Sequence, residues 1–183
     1  RDIYLRGELA LRKDGKILAV RFHCDSDNGA FFSDAQPTKF KLGLIHSAFA
    51  AYNIPFAYMT AQGTYTNKAP GGVAYRCSFR VTEAMFFQER AIQAAADDLG
   101  MDQAAFRRLN LVKDHQFPFR TPYGFLLDSG QYEKCLDVGL NAIGYDDFLR
   151  EKEEARAQGR RLGIGISTMT EPPRPVPAVV LAI

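Results

Sequence analysis

The stretch Ala69-Pro70-Gly71-Gly72-Val73-Ala74-Tyr75-Arg76-Cys77-Ser78-Phe79-Arg80 puts a thiol beside two guanidinium groups, just ahead of a strongly periodic helix. Paired glycines let the backbone take positive φ and approach a ligand closely. A helix start presents unsatisfied N–H groups and a partial positive charge, which favour an anion. Cys77 has such a start on one side and Arg76 and Arg80 as neighbours, and each of these lowers a thiol pKa. The thiolate so favoured attacks electrophiles or binds soft metals, Cu(I) especially. Residue chemistry alone leaves a second reading open, in which Cys77 is a small buried apolar residue. A thiol-dependent enzyme is a minor third, because no histidine lies near Cys77 in sequence to act as its base.

Other candidate chemistry is weaker. Gly163-Ile164-Gly165-Ile166-Ser167-Thr168 has two glycines of a dinucleotide fingerprint, but Thr168 holds the third place and no helix clearly follows. It reads better as a glycine-dotted strand near a cofactor. Asp25-Ser26-Asp27-Asn28-Gly29 is one residue short of a calcium loop and lacks its closing Glu, so a turn is the better reading. His23, His46 and His115 show no metal-ligand spacing and read as structural or exposed. Cys24 and Cys135 lack a basic loop setting and read as packed thiols. Arg107-Arg108 and Arg160-Arg161 read as solvated faces or subunit contacts at element ends.

The elements that must position these residues are of both kinds. Tyr4 to Phe32 reads as β, with Lys13-Asp14-Gly15-Lys16 as a hairpin turn and Ser26-Asp27-Asn28-Gly29 as a turn or bulge. Phe40 to Tyr52 has helical spacing, and Ala57 to Tyr65 looks like a strand. Asn67 to Gly72 has loop composition. Val81 to Leu99 is the clearest helix, with Thr82 able to cap it, Glu83 in its first turn and Gly100 after its end. Asp102 caps a short helix through Leu109, and Ser129 to Ile143 and Asp146 to Gln158 are two more. The last is largely solvated, and Leu162 to Met169 returns to strand. Pro172, Pro173, Pro175 and Pro177 end regular structure. The order is irregular and not a βαβ series, so the fold class is α+β.

At 183 residues the length suits one domain. With 46% hydrophobic and 24% charged residues the mix is that of a globular chain. A net charge of +2 argues against nucleic acid as a partner. Three widely spaced cysteines suggest no disulfide framework, and a reducing cytoplasmic setting follows. No apolar run approaches the roughly 20 residues of a membrane span. The opening Arg1-Asp2-Ile3-Tyr4 lacks Met and starts as if in mid-strand, so the chain is expected to be an internal piece of something longer.

Gly71 to Arg80, Gly-Gly-Val-Ala-Tyr-Arg-Cys-Ser-Phe-Arg, resembles the active-site loop of aerobic carbon-monoxide dehydrogenases, members of the xanthine oxidase family of molybdenum hydroxylases. Thr64 to Pro70 before it and Val81 to Ala84 after it look like the same large subunit. Relatives of other substrate typically carry a glycine-rich loop without this cysteine. A looser resemblance runs from about Tyr4 to Glu171, through Gln116-Phe117-Pro118, Asp128-Ser129-Gly130 and Gly163-Ile164-Gly165. Pro172-Pro173-Arg174-Pro175 departs from the family's pattern. Residues 1–171 are thus expected to be a partial molybdenum cofactor-binding domain carrying the loop 69–80. Residues 172–183 form an atypical Pro-rich end.

The resemblance implies oxidation of CO with water to CO2, two protons and two electrons at a copper–sulfide–molybdenum centre. Cys77 is then the copper ligand. Gly71, Gly72, Val73, Ala74, Tyr75 and Arg76 line the cofactor, molybdopterin cytosine dinucleotide. Phe79 walls the substrate pocket, and Arg76 and Ser78 support the metals. The implied partners are a flavin-binding medium subunit with FAD and a small subunit with 2Fe–2S clusters, two such heterotrimers associating. The location implied is cytoplasmic, with or without association with the inner face of the membrane. A piece lacking the family's upstream and downstream site segments is expected to be inactive and poorly soluble alone. Two alternatives stay open: a hydroxylase of an aldehyde or heterocycle without copper, and a noncatalytic interaction fragment.

Overall fold

A computed structural model describes residues 3–31, 48–69 and 79–170, and of residues 79–81 the backbone only. β1 (Ile3–Leu11) and β2 (Ile17–Gly29) form an antiparallel hairpin, paired from Ile3 with Ser26 to Leu11 with Ile17. Its turn carries the expected Asp14-Gly15, with Gly15 at φ 89°. The left-handed region costs glycine nothing, which is why the turn closes there. The fully buried Asn110 locks it from outside. Its Nδ2 donates to the Gly15 carbonyl at 2.9 Å, and its Oδ1 accepts from the Ile17 N–H at 2.9 Å.

β3 (Phe56–Tyr65) lies parallel to β2, giving the order β1-β2-β3. A parallel neighbour requires a crossover, here residues 30–55. Residues 40–47 of the expected Phe40–Tyr52 helix lie outside the described residues. Ala48 to Ala51 form a turn instead, with Phe49 at φ 59°. A left-handed residue cannot continue a right-handed helix, and Tyr52 instead bridges Leu111.

α1 (Phe79–Asp98) covers one face of the sheet. Ala84, Met85, Gln88, Glu89, Ile92, Ala95 and Ala96 are buried at spacings of three and four, the pattern of a helix with one apolar stripe. Thr82 lies inside this helix and does not cap it, because the helical backbone is already running at Phe79. The other end is as expected. Gly100, at φ 64°, donates to the Asp97 carbonyl, and Met101 donates to that of Ala96, a left-handed stop. Phe87 packs on Phe22 with ring centroids 4.6 Å apart. That approach needs Gly7, where an added Cβ would lie 2.3 Å from Phe87 Cζ and 2.6 Å from the Arg21 carbonyl oxygen.

α2 (Gln103–Asn110) starts at Asp102, whose carboxylate accepts from the Ala104 and Ala105 N–H groups as the sequence predicts. A short pair, β4 (Phe119–Arg120) with β5 (Leu126–Leu127), precedes α3 (Tyr132–Ala142) and α4 (Tyr145–Ala157). α4 is largely solvated, burying Tyr145 and Ala155. Cys24 is a packed thiol, but Cys135 is exposed, because it falls off the stripe of α3 that buries Leu136 and Leu140.

The segment 162–170 corrects the expectation of a strand. Its exposure alternates residue by residue as in a strand, but it joins no backbone ladder. Side chains take the place of a neighbouring strand. Gln103 donates to the Ile164 carbonyl, Arg107 to that of Ile166, and Gln88 to that of Thr168.

Candidate functional site

The residues on which the chemistry was placed, Gly71, Gly72, Val73, Ala74, Tyr75, Arg76, Cys77 and Ser78, lie outside the described residues. Phe79 is the first residue of α1, and its side chain also lies outside them. The structure does describe what anchors that stretch at both ends: the β2–β3 edge before it and α1 after it.

The anchor before it is Asp27. The end of β2 is a bulge, with the register shifting between Asp27 and Gly29. Asp27 Oδ1 accepts from the Gly29 N–H at 2.8 Å and from the Thr66 hydroxyl at 2.6 Å, and Lys68 Nζ lies 3.2 Å from Oδ2. An Asp bonding the backbone two residues on is an Asx turn. Main-chain bonds from Thr66 to the Gly29 carbonyl and from Ala30 to that of Lys68 tie the same two segments. The hydrogen bond from Thr66, then that from Gly29, hold the Asp27 carboxyl down at about 2. The expected turn or bulge at Ser26 to Gly29 is thus present, and the clamp made by Asp27 is a role its sequence did not announce beyond the Asp-x-Gly spacing.

The face of β2 beneath α1 carries Val20, Phe22, Cys24, Ser26 and Asn28, all buried. Burial, with the charges of Asp25 and Glu83, pushes the Cys24 thiol up to about 11, an inert form at neutral pH. Phe87 sits on Phe22, and Glu83, one turn earlier in α1, acts on Cys24. The strand and helix therefore run together toward the start of α1. There Ser26 Oγ and both amide atoms of Asn28 are buried with no hydrogen-bond partner among the described residues.

A second polar cluster fixes the other flank of α1. Glu89 Oε2 takes Arg107 Nε at 3.0 Å and Nη2 at 2.9 Å. Its Oε1 accepts from Tyr52 at 3.0 Å, Gln88 at 2.6 Å and Thr168 at 3.2 Å. Burial raises the Tyr52 phenol far above its ordinary value, and the Glu89 charge adds to this. Arg107 is 1% exposed, so the reading of Arg107-Arg108 as a solvated cluster is corrected for Arg107. Arg107 follows Gln103 by one helical turn and reaches inward to a carboxylate, whereas Arg108 pairs with Asp137 on α3. The signal in the sequence was Glu89, an acid on the apolar stripe between Met85 and Ile92. On the opposite face of the sheet, His23 is a structural residue, bonded through Nδ1 to Thr60 at 2.6 Å and lying 3.0 Å from Asp25 through Nε2.

Among the described residues no group of three or more His, Cys, Asp and Glu side chains could hold a metal ion. A metal carried on an organic cofactor needs hydrogen bonds to that cofactor instead, and Ser26 and Asn28 have such capacity to spare. The residues present therefore fit an organic, hydrogen-bonding cofactor.

The clamped end of β2 precedes a glycine-rich stretch of sequence and then the long helix α1. The model of the molybdopterin cofactor-binding domain matches residues 1–111, and the chain belongs to that family. It is similar to the carbon monoxide dehydrogenase large chain of Hydrogenophaga pseudoflava, 47% identical over 174 residues, which are 93% of this chain and 22% of that protein. It is also similar to a subunit of the 6-hydroxypseudooxynicotine dehydrogenase complex (gamma) of Paenarthrobacter nicotinovorans, 31% identical over 180 residues, again 93% of this chain and 22% of that protein. The structure of reconstituted CO dehydrogenase from Oligotropha carboxidovorans superposes with a TM-score of 0.75 at 43% identity, covering 87% of this chain and 20% of that one. The chain thus spans about a fifth of the length of these relatives. No helix among the described residues is long and apolar enough to cross a membrane.

Proposed function

We propose that this chain is part of the large, molybdenum-binding subunit of an aerobic carbon-monoxide dehydrogenase, the part that carries its copper ligand. The observation that carries the reading is Cys77 within Ala-Tyr-Arg-Cys-Ser-Phe-Arg, between a β2–β3 edge clamped by Asp27 and helix α1. The 47% identity to a carbon monoxide dehydrogenase large chain supports it.

The reaction is CO plus water giving CO2, two protons and two electrons. The bound molybdopterin cytosine dinucleotide would supply the molybdenum redox chemistry and the oxygen transfer. The residues of this chain do the rest. The Cys77 thiolate holds Cu(I), a soft ion suited to a soft ligand and to CO. The start of α1, with Arg76 and Arg80, favours the thiolate form. Gly71 to Arg76 line the cofactor, Phe79 walls the pocket and excludes water, and Arg76 and Ser78 support the metals. The proposed partners are a medium subunit, which would hold FAD, and a small subunit, which would hold 2Fe–2S clusters, groups that would take up the electrons, in a dimer of heterotrimers. Residues 1–171 alone lack the remainder of the site and are inactive.

The second reading is a molybdenum hydroxylase for an aldehyde or heterocycle without copper, and the 31% identity to a dehydrogenase subunit named for a substrate other than CO supports it. The two part at Cys77. The test is CO-dependent dye reduction by the intact complex, wild type and Cys77→Ala. Activity that vanishes in Cys77→Ala while molybdenum content stays normal supports copper-thiolate CO oxidation. CO oxidation that survives the substitution removes the role given to Cys77. A fully metallated wild type inert to CO moves the assignment to the hydroxylase.

A further inference from the structure

We propose that Ser26 and Asn28 form a recognition pair for an amide-type edge, a donor and an acceptor side by side in one plane, met where the face beneath α1 runs on past Cys24. The proposal rests on the reading that the intact protein holds molybdopterin, whose pterin ring carries such an edge. A main-chain peptide group of the loaded protein has the same chemistry.

The described residues leave these atoms without a partner. Ser26 and Asn28 are each 2% exposed, so bulk water does not reach them. Among the described residues Ser26 Oγ, Asn28 Nδ2 and Asn28 Oδ1 have no hydrogen-bond partner. Native proteins pair nearly all buried polar groups, because an unpaired one keeps its full desolvation cost. A buried carboxamide idle at both ends calls for a partner that presents both a donor and an acceptor.

The pair is also built and held in place. Ser26 pairs in register with Gly63 on β3. A Cβ at Gly63 would lie 2.2 Å from Asn28 Nδ2, so the carboxamide occupies the space that glycine leaves open. Asp27, between the two residues, bonds Gly29 and Thr66 and fixes the backbone on either side. Prepaid rigidity of this kind is what a recognition site requires.

The test uses the intact, cofactor-loaded protein with Asn28→Leu and Ser26→Ala. It measures pterin released per folded molecule, and thermal midpoints of the loaded and cofactor-free forms. Leu is close to Asn in shape, and it removes an unsatisfied group, so the cofactor-free form should melt no lower than wild type. If the pterin is the partner, retained pterin falls about five- to thirtyfold, the equivalent of one or two lost hydrogen bonds. If a peptide group is the partner, pterin content holds and only the loaded form melts lower. The pair is overturned if both variants keep wild-type pterin and wild-type loaded midpoints, or if Asn28→Leu lowers both forms equally. A wild type that takes up no pterin under the same conditions contradicts the cofactor reading itself, and the pterin source with it.

Discussion

Replacing Glu89 tests the buried cluster that ties α1 to α2 and to segment 162–170. Glu89→Leu strands the Arg107 guanidinium, which is 1% exposed and bonded twice to Oε2. It also takes the acceptor from Tyr52, Gln88 and Thr168. Breaking a buried ion pair costs about 3–5 kcal/mol, and the three lost hydrogen bonds put this change at the upper end, with Tyr52 and Thr168 keeping only their mutual bond and Gln88 its bond to the Thr168 carbonyl. Arg107→Met should cost less, near 3 kcal/mol by the same measure, because three neutral donors still surround the Glu89 carboxylate. The double variant Glu89→Leu/Arg107→Met leaves no buried charge. It should cost less than the sum of the two single changes by at least about 2 kcal/mol, within the range of coupling between touching residues. Urea unfolding of the intact protein, wild type beside the three variants, measures all four corners. Single variants within about 1 kcal/mol of the parent, or a double variant equal to the sum, would refute the argument that this pair holds the flank.

Three further outcomes are expected. Asp27 is held at about 2, below its value in an unfolded chain, so its stabilising effect is full above about pH 4 and fades as pH falls toward 2. Asp27→Asn should flatten the acid limb of stability between those values, and an unchanged limb would clear Asp27 of the clamp role. Alkylation of the native chain at neutral pH should mark Cys135 and spare Cys24, whose thiol is buried and pushed up to about 11; mass mapping that finds Cys24 modified before unfolding would contradict its packing. Gly7→Ala should cost about 1–3 kcal/mol from overpacking, since its Cβ would meet both Phe87 and the Arg21 carbonyl. A neutral Gly7→Ala in urea unfolding would mean that α1 sits less closely on the sheet.

The parts of the fold that local chemistry decides were legible in the residues. Asp14-Gly15 announced the hairpin, Asp102 the start of α2, and Gly100 the end of α1. The parts decided by distant partners were not. Segment 162–170 has strand periodicity, but its carbonyls are taken by Gln88, Gln103 and Arg107 from two helices. Arg107 looked like a surface charge because its partner, Glu89, stands 18 residues earlier in sequence. Of the candidate site, Cys77 and its loop stood out by composition and resemblance. Asp27, Ser26 and Asn28 did not, since they read as a common turn until Thr66, Lys68 and Gly63 were seen beside them.

The most direct test of the central claim is the copper and molybdenum content of the intact purified protein, wild type beside Cys77→Ala. If Cys77 ligates copper, the wild type holds copper and molybdenum in equal amounts, and Cys77→Ala loses the copper while keeping the molybdenum. Equal copper in both proteins, or a wild type with molybdenum and no copper, would contradict it.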